Sequence, residues 1–177
     1  MKSFACSFAI TCTLATSLAQ AQPAAPETRA GIIGVDATVV LPVGDYADFA
    51  TLAIGPIGRV EFPAGPGYVT GRFGVLFHLM NSEIEDTTFL LFPLYGGYRY
   101  PLGSGSAYLA GELGITFAYA RTDTSLGSGS DTDTELGMTL GGGLKKGKLD
   151  LRGGLFLPDL DDAVGIFGSV GYDFASF

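Results

Sequence analysis

The chain has 177 residues, a net charge of −8, no tryptophan, 27 glycines and only 16% charged residues. That charge content is low beside the roughly 25% usual in a soluble domain, and its negative sign speaks against nucleic acid as a partner. Beyond residues 1–21 no window holds about 18 uninterrupted apolar residues, so a helical membrane protein is excluded.

Residues 1–21 have the make-up of an export signal, expected to be cleaved near Ala21. Lys2 supplies the positive start, residues 4–18 the broken apolar run, and Ala19-Gln20-Ala21 the small-x-small site. Cys6 and Cys12 both fall inside this segment, and neither follows the Leu-small-small run of a lipoprotein. The mature chain then has no thiol for a disulfide or a metal. Residues 22–30 read as a short periplasmic lead-in, and 31–177 as one domain.

From there a period-two rhythm recurs about eight times. The first strand, residues 33–41, sets Ile33, Val35, Ala37, Val39 and Leu41 against Asp36 and Thr38. The second, 53–62, sets Ile54, Val60 and Phe62 against Arg59 and Glu61. The third, 68–80, puts Val69, Phe73, Val75, Phe77 and Leu79 on one face, and Tyr68, Thr70, Arg72 and His78 on the other. In the fourth, 88–100, Leu90, Phe92, Leu94, Tyr98 and Tyr100 oppose Tyr95 and Arg99, with Pro93 awkwardly placed in a ladder to which it cannot donate.

The fifth strand, 107–119, sets Leu109, Leu113, Ile115, Phe117 and Tyr119 against Tyr108, Glu112 and Thr116. The sixth, 135–144, sets Leu136, Met138, Leu140 and Leu144 against Thr139 and glycines. The seventh, 149–157, opposes Leu149, Leu151 and Leu155 to Asp150 and Arg152. The eighth, 164–174, opposes Val164, Ile166, Val170, Tyr172 and Phe174 to Ser169 and Asp173. A strand turns the same way every second residue, so each has one greasy and one polar face. Their length suits a tilted crossing of a bilayer.

The charges decide which face meets what. Asp36, Arg59, Glu61, Arg72, Arg99, Glu112, Asp150, Arg152 and Asp173 all share the polar parity. An arginine on the other face would cost about 2–4 kcal/mol at a bilayer midplane. Four arginines and five carboxylates make a nearly neutral interior network. A soluble lipocalin-like carrier would reverse the arrangement, with apolar residues inside.

The connections sort as well. Residues 63–67, 101–106 and 145–148 are compact turns, whereas 42–52, 81–87, 122–134 and 158–162 are mostly longer. Acidic residues collect in the longer set: Asp45, Asp48, Glu83, Glu85, Asp86, Asp123, Asp131, Asp133, Asp159, Asp161 and Asp162. Lys145, Lys146 and Lys148 fall in a short turn. Short turns are expected on the periplasmic side and long loops outside.

With Phe92-Pro-Leu-Tyr-Gly-Gly-Tyr-Arg-Tyr100, Ala107-Tyr-Leu-Ala-Gly-Glu-Leu-Gly114 and the closing Gly171-Tyr-Asp-Phe-Ala-Ser-Phe177, residues 31–177 resemble the small eight-stranded OmpA- and OmpX-like outer-membrane barrels. The resemblance implies an all-β, eight-stranded antiparallel up-and-down transmembrane barrel, integral to a bacterial outer membrane. It implies outer-membrane lipids and lipopolysaccharide as surroundings, and assembly machinery reading an aromatic of the last strand. Tyr172 and Phe174 keep the outward parity, but Phe177 does not; either the signal ends at Phe174 or a bulge restores the register.

Candidate chemistry is sparse. His78, with Ser82 and Glu83 nearby, has the residue types of a lipid A-modifying barrel enzyme, but its lumen-facing parity favours a rim histidine bonded to neighbours. Asp131, Asp133, Asp159, Asp161 and Asp162 are candidate ligands for divalent cations, although Leu136 stands where a calcium loop needs its glycine. Gly141-Gly-Gly143 lacks the strand-to-helix context of a phosphate cradle and reads as packing in a narrow lumen. Tyr68 and Tyr108 point inward as plugs. No cofactor is expected, and eight strands leave space only for side chains. The expected role is non-enzymatic, structural or surface-interacting through acidic loops; a lipid-modifying enzyme, a soluble carrier and a small channel are the alternatives.

Overall fold

The computed structural model describes residues 30–80, 87–103, 105–124 and 127–177. The proposed export signal, most of the lead-in, and Ser82, Glu83, Glu85 and Asp86 lie outside those residues. In chain order the elements are β1 (Ile32–Val43), α1 (Tyr46–Phe49), β2 (Ala50–Ala64), β3 (Gly67–Gly74), β4 (Leu76–Met80), β5 (Thr87–Pro101), β6 (Ala107–Thr124), β7 (Gly127–Lys146), β8 (Leu149–Asp159) and β9 (Ala163–Ser176).

All pairings are antiparallel, and β1 pairs with both β2 and β9, so the sheet closes on itself. β3 and β4 are two halves of one stave. Their partner sums do not change across the break, from Ile57↔Gly74 to Ile54↔Phe77 on one side and from Phe73↔Leu94 to Leu76↔Leu91 on the other. The break at Val75 lies opposite Pro56, and Pro93 follows the same register on the far side. Neither proline has an N–H to give, so the ladder thins there without slipping. The barrel therefore has eight staves, as the eight-fold rhythm predicts.

Period-two facing explains the two surfaces. Leu109, Leu113, Ile115 and Phe117 of β6 stand exposed, while Tyr108, Glu112 and Thr116 are buried. The same alternation runs along β1 and β9. Closure abolishes free edges around the wall.

The structure corrects two loop boundaries. β6 and β7 continue far past the expected loop at 122–134, with pairing that reaches Thr124↔Gly127. Threonines 122, 124, 132 and 134 suit extended backbone, although their polarity imitates a loop. At the other end of that ribbon β7 runs to Lys146, and only Gly147 and Lys148 remain as the turn, Gly147 having φ 59°. A left-handed φ is cheap only for glycine.

The last strand settles the parity of Phe177. Partners step from Ile33↔Ala175 to Gly34↔Asp173, so one residue bulges out. Pairing then continues, with Gly31 N donating to Phe177 O at 2.7 Å and Phe177 N to Gly31 O at 3.0 Å. The bulge returns Phe177 to the outer face, where its ring meets Phe62 edge-on at 5.6 Å and lies over Gly31.

Candidate functional site

One end of the barrel carries the tight turns, Ala30 and Phe177; the other carries α1 and the tall β6–β7 ribbon. Between them the lumen has two tiers of different chemistry. At the turn end Arg59 is the hub. It reaches Glu61 and Asp173 at 2.8 Å, Asp36 at 3.3 Å and Asp150 at 3.4 Å. Arg72 joins through Asp36 at 2.5 Å, and Arg99 through Glu61 at 2.6 Å and Asp150 at 3.1 Å. Tyr108 donates its hydroxyl to Asp150, and the Arg99 guanidinium lies over the Tyr68 and Tyr108 rings.

A second, separate pair is Arg152 with Glu112. Arg152 Nη1 donates to Oε1 at 2.6 Å while Nη2 bonds Oε2. Thr139 also donates to Glu112, as does Thr70 at 3.3 Å. All nine charged residues named for the lumen are buried, and the structure brings them into these two groups.

Sequence reasoning missed the tenth member. Lys145, assigned to a turn, points inward and meets Asp173 at 2.5 Å and Glu61 at 3.7 Å. The signal was available: extending the parity of Thr139, Gly141 and Gly143 by one more step lands on Lys145. With it, Arg59, Arg72, Arg99, Arg152 and Lys145 balance Asp36, Glu61, Glu112, Asp150 and Asp173 one for one. Buried charge demands such pairing, because an unmatched ion cannot regain its hydration.

The interior network does not occupy the whole lumen. Its loop-end half holds a packed apolar plug that includes Val40, Ile57, Leu76, Leu91, Phe156 and Phe167. Between the tiers remains a void of about 30 Å³, bounded by Thr38, Arg72 and Tyr95, enough for roughly one or two water molecules.

The glycine triplet now has a structural reason. A Cβ on Gly143 would stand 2.4 Å from Leu151 O and from the Tyr108 hydroxyl, and one on Gly141 would stand 2.3 Å from Gly153 O. These positions let β7 approach β8 and leave room for the Tyr108 ring. Gly143→Ala is expected to destabilise the barrel by about 1–3 kcal/mol through overpacking, measured as a lower urea midpoint with unchanged fold.

His78 sits above the plug, 7% exposed. Its Nε2 shares a hydrogen bond with the Tyr46 hydroxyl, and its ring meets Phe89 edge-on at 4.8 Å. Tyr46 descends from the loop helix, and burial pushes its hydroxyl well above the ordinary range, with Tyr95 adding to the rise. Among the described residues the bonded partner of His78 is a tyrosine, with no serine or carboxylate alongside.

The loop-end mouth opens into a cavity of about 570 Å³. Asp131, Asp133 and Glu135 line it at every second position of β7, and Asp159 joins them from β8. Asp131 and Asp133 accept the N–H of Thr132 and Thr134, and Asp159 that of Asp161. Glu135 lies just above Leu136, the outermost apolar residue on the outer face of β7. Asp161 and Asp162 are exposed at the β8–β9 turn. Among the described residues no three His, Cys, Asp or Glu side chains are grouped to hold a metal ion.

Comparison with known proteins returns structural likeness only. No family model matches the chain, and no curated protein matches its sequence. The attachment invasion locus protein Ail of Yersinia pestis superposes with a TM-score of 0.58 at 18% identity, covering 81% of this chain and 95% of Ail. The N-terminal β-barrel domain of Pseudomonas aeruginosa OprF gives 0.58 at 10% identity, covering 82% and 100%. Neisserial surface protein A gives 0.50 at 13% identity, covering 81% and 97%. With its eight closed antiparallel staves, the chain has the fold of the small outer-membrane β-barrels.

Proposed function

We propose that the chain is an integral protein of a bacterial outer membrane, without catalytic function, that seals its own lumen and acts at the surface through its acidic mouth. The single observation behind this is the inversion of ordinary burial. Phe73, Leu113, Leu140, Val170 and their neighbours form a continuous apolar exterior, while arginines and carboxylates are buried in the turn-end half of the lumen. Water disfavours so large an apolar surface; hydrocarbon does not. From Leu109 to Tyr119, a strand rising about 3.3 Å per residue and tilted about 40° climbs roughly 25 Å, the height of such a band.

The turn end then faces the periplasm. Tyr100, Tyr172, Phe174 and Phe177 ring that edge of the band, and Lys148 lies 5.8 Å from the Tyr172 ring centre. Aromatic belts with nearby lysines suit a headgroup layer. Phe174 and Phe177 on the outer face beside β9 offer assembly machinery aromatic side chains.

The two-tier plug favours a closed barrel over a channel, and discrete conductance is not expected. Ail has been seen with the heparin analogue sucrose octasulfate. That polyanion is not carried over to this chain, whose mouth presents Asp131, Asp133, Glu135 and Asp159. A mouth of that charge fits a cationic partner better.

Cell fractionation tests the reading. The protein should stay in the outer-membrane fraction, require detergent for release, and shift on a gel when boiled. Recovery in the soluble fraction would end it.

A further inference from the structure

We propose that the loop-end cavity binds an organic cation that carries an apolar body, such as an aromatic or aliphatic ammonium or guanidinium compound. The inference rests on the reading of an exposed, lipid-embedded barrel and names the class of ligand its mouth takes.

Three features of the cavity carry it. Its volume, about 570 Å³, falls within the range of small-molecule sites. Its walls are chemically divided. In the closed order of staves, β7 and β8 stand across the barrel from β2 and the β3–β4 stave. Asp131, Asp133, Glu135 and Asp159 therefore face Met80 and Ala50, with Phe49 and Tyr46 of α1 above them. A ligand seated there meets carboxylates on one flank and apolar carbon on the other.

The third feature is charge. Inside the lumen every carboxylate has a cation. Among the described residues lining the mouth none is basic, and no ion pair reaches its four carboxylates. Asp131, Asp133 and Glu135 recur at every second position of β7, and Asp159 of β8 lines the same cavity, so like charges share one wall. A monovalent cation spread along that wall relieves the repulsion. Among the described residues no three carboxylates are grouped to hold a small divalent ion there, and the apolar flank rewards the body that a bare ion lacks. Aromatic faces at Phe49 and Tyr46 also suit an ammonium group.

The test uses the full barrel in lipid nanodiscs, with folding verified by the gel shift, and benzyltrimethylammonium as probe, followed by NMR. Binding should be at least five-fold tighter than that of tetramethylammonium, which lacks the body, and of benzyl alcohol, which lacks the charge. Asp133→Asn with Glu135→Gln should weaken it at least five-fold, and so should Phe49→Ser at the exposed α1 position.

Equal binding of tetramethylammonium or Mg²⁺ would reduce the mouth to a screened acidic surface and overturn the proposal. Equal binding of benzyl alcohol, or none by the folded barrel, would also overturn it. A protein that is soluble without lipid would instead overturn the outer-membrane reading.

Discussion

Arg152→Met is expected to destabilise the barrel by about 3–5 kcal/mol, because it leaves Glu112 charged and without its ion-pair partner deep in the lumen. Glu112 is 2% exposed, so water cannot replace the bidentate guanidinium. Thr70 and Thr139 still donate to it, but neutral donors leave the charge uncancelled. The substitution also removes the guanidinium from above the Phe167 ring, 5.4 Å away.

The companion variant separates charge from shape. Glu112→Gln added to Arg152→Met removes both ions and keeps an acceptor for one threonine and an amide donor for the hydroxyl of the other. The double variant should recover most of the loss, since replacing a buried pair by neutral groups is often close to neutral. Urea unfolding in lipid vesicles measures all three proteins. If the double variant is as unstable as Arg152→Met alone, packing rather than charge governs the site. Arg59→Met should behave differently, because Arg72, Arg99 and Lys145 stay in contact with its carboxylates.

The contrast between the lumen's two halves also shows what a sequence can reveal. Apart from Lys145, whose neighbour Lys146 is also charged, the ionic tier was legible because each charged residue sits among apolar neighbours of the opposite parity. Arg59 between Gly58 and Val60, or Asp173 between Tyr172 and Phe174, marks its face unambiguously. The apolar plug was not. Val39-Val40-Leu41, Phe89-Leu-Leu-Phe92 and Leu155-Phe-Leu157 are apolar at both parities, so the period of two vanishes where the wall is greasy on both sides.

The mouth was hidden for another reason. Asp131, Asp133 and Glu135 are spaced as a strand face, yet the stretch is polar at both parities and resembles a loop. Tyr46, set between Asp45 and Ala47 in a short helix, carried no periodic signal at all. Its contact with His78 is 32 residues away in sequence, and only closure of the barrel creates it.

Leu113→Arg provides the sharpest test of what surrounds the barrel. Leu113 is half-exposed on the outer face, paired with Gly96 and Met138 near the middle of the apolar band. In a bilayer an arginine there is expected to cost about 2–4 kcal/mol, and one at the interface only about 0–1. Leu144→Arg, close to the turn end opposite Ala107, supplies the shallow comparison. Both leucines are equally exposed, 51% and 55%, so a barrel in water would treat the two substitutions alike. Surface changes of that kind usually fall within about 0.5 kcal/mol. A gradient with depth, read from urea unfolding in vesicles, requires hydrocarbon around the middle of the wall. Equal and negligible effects at the two positions would place water there instead, and the acidic mouth would then belong to a soluble protein.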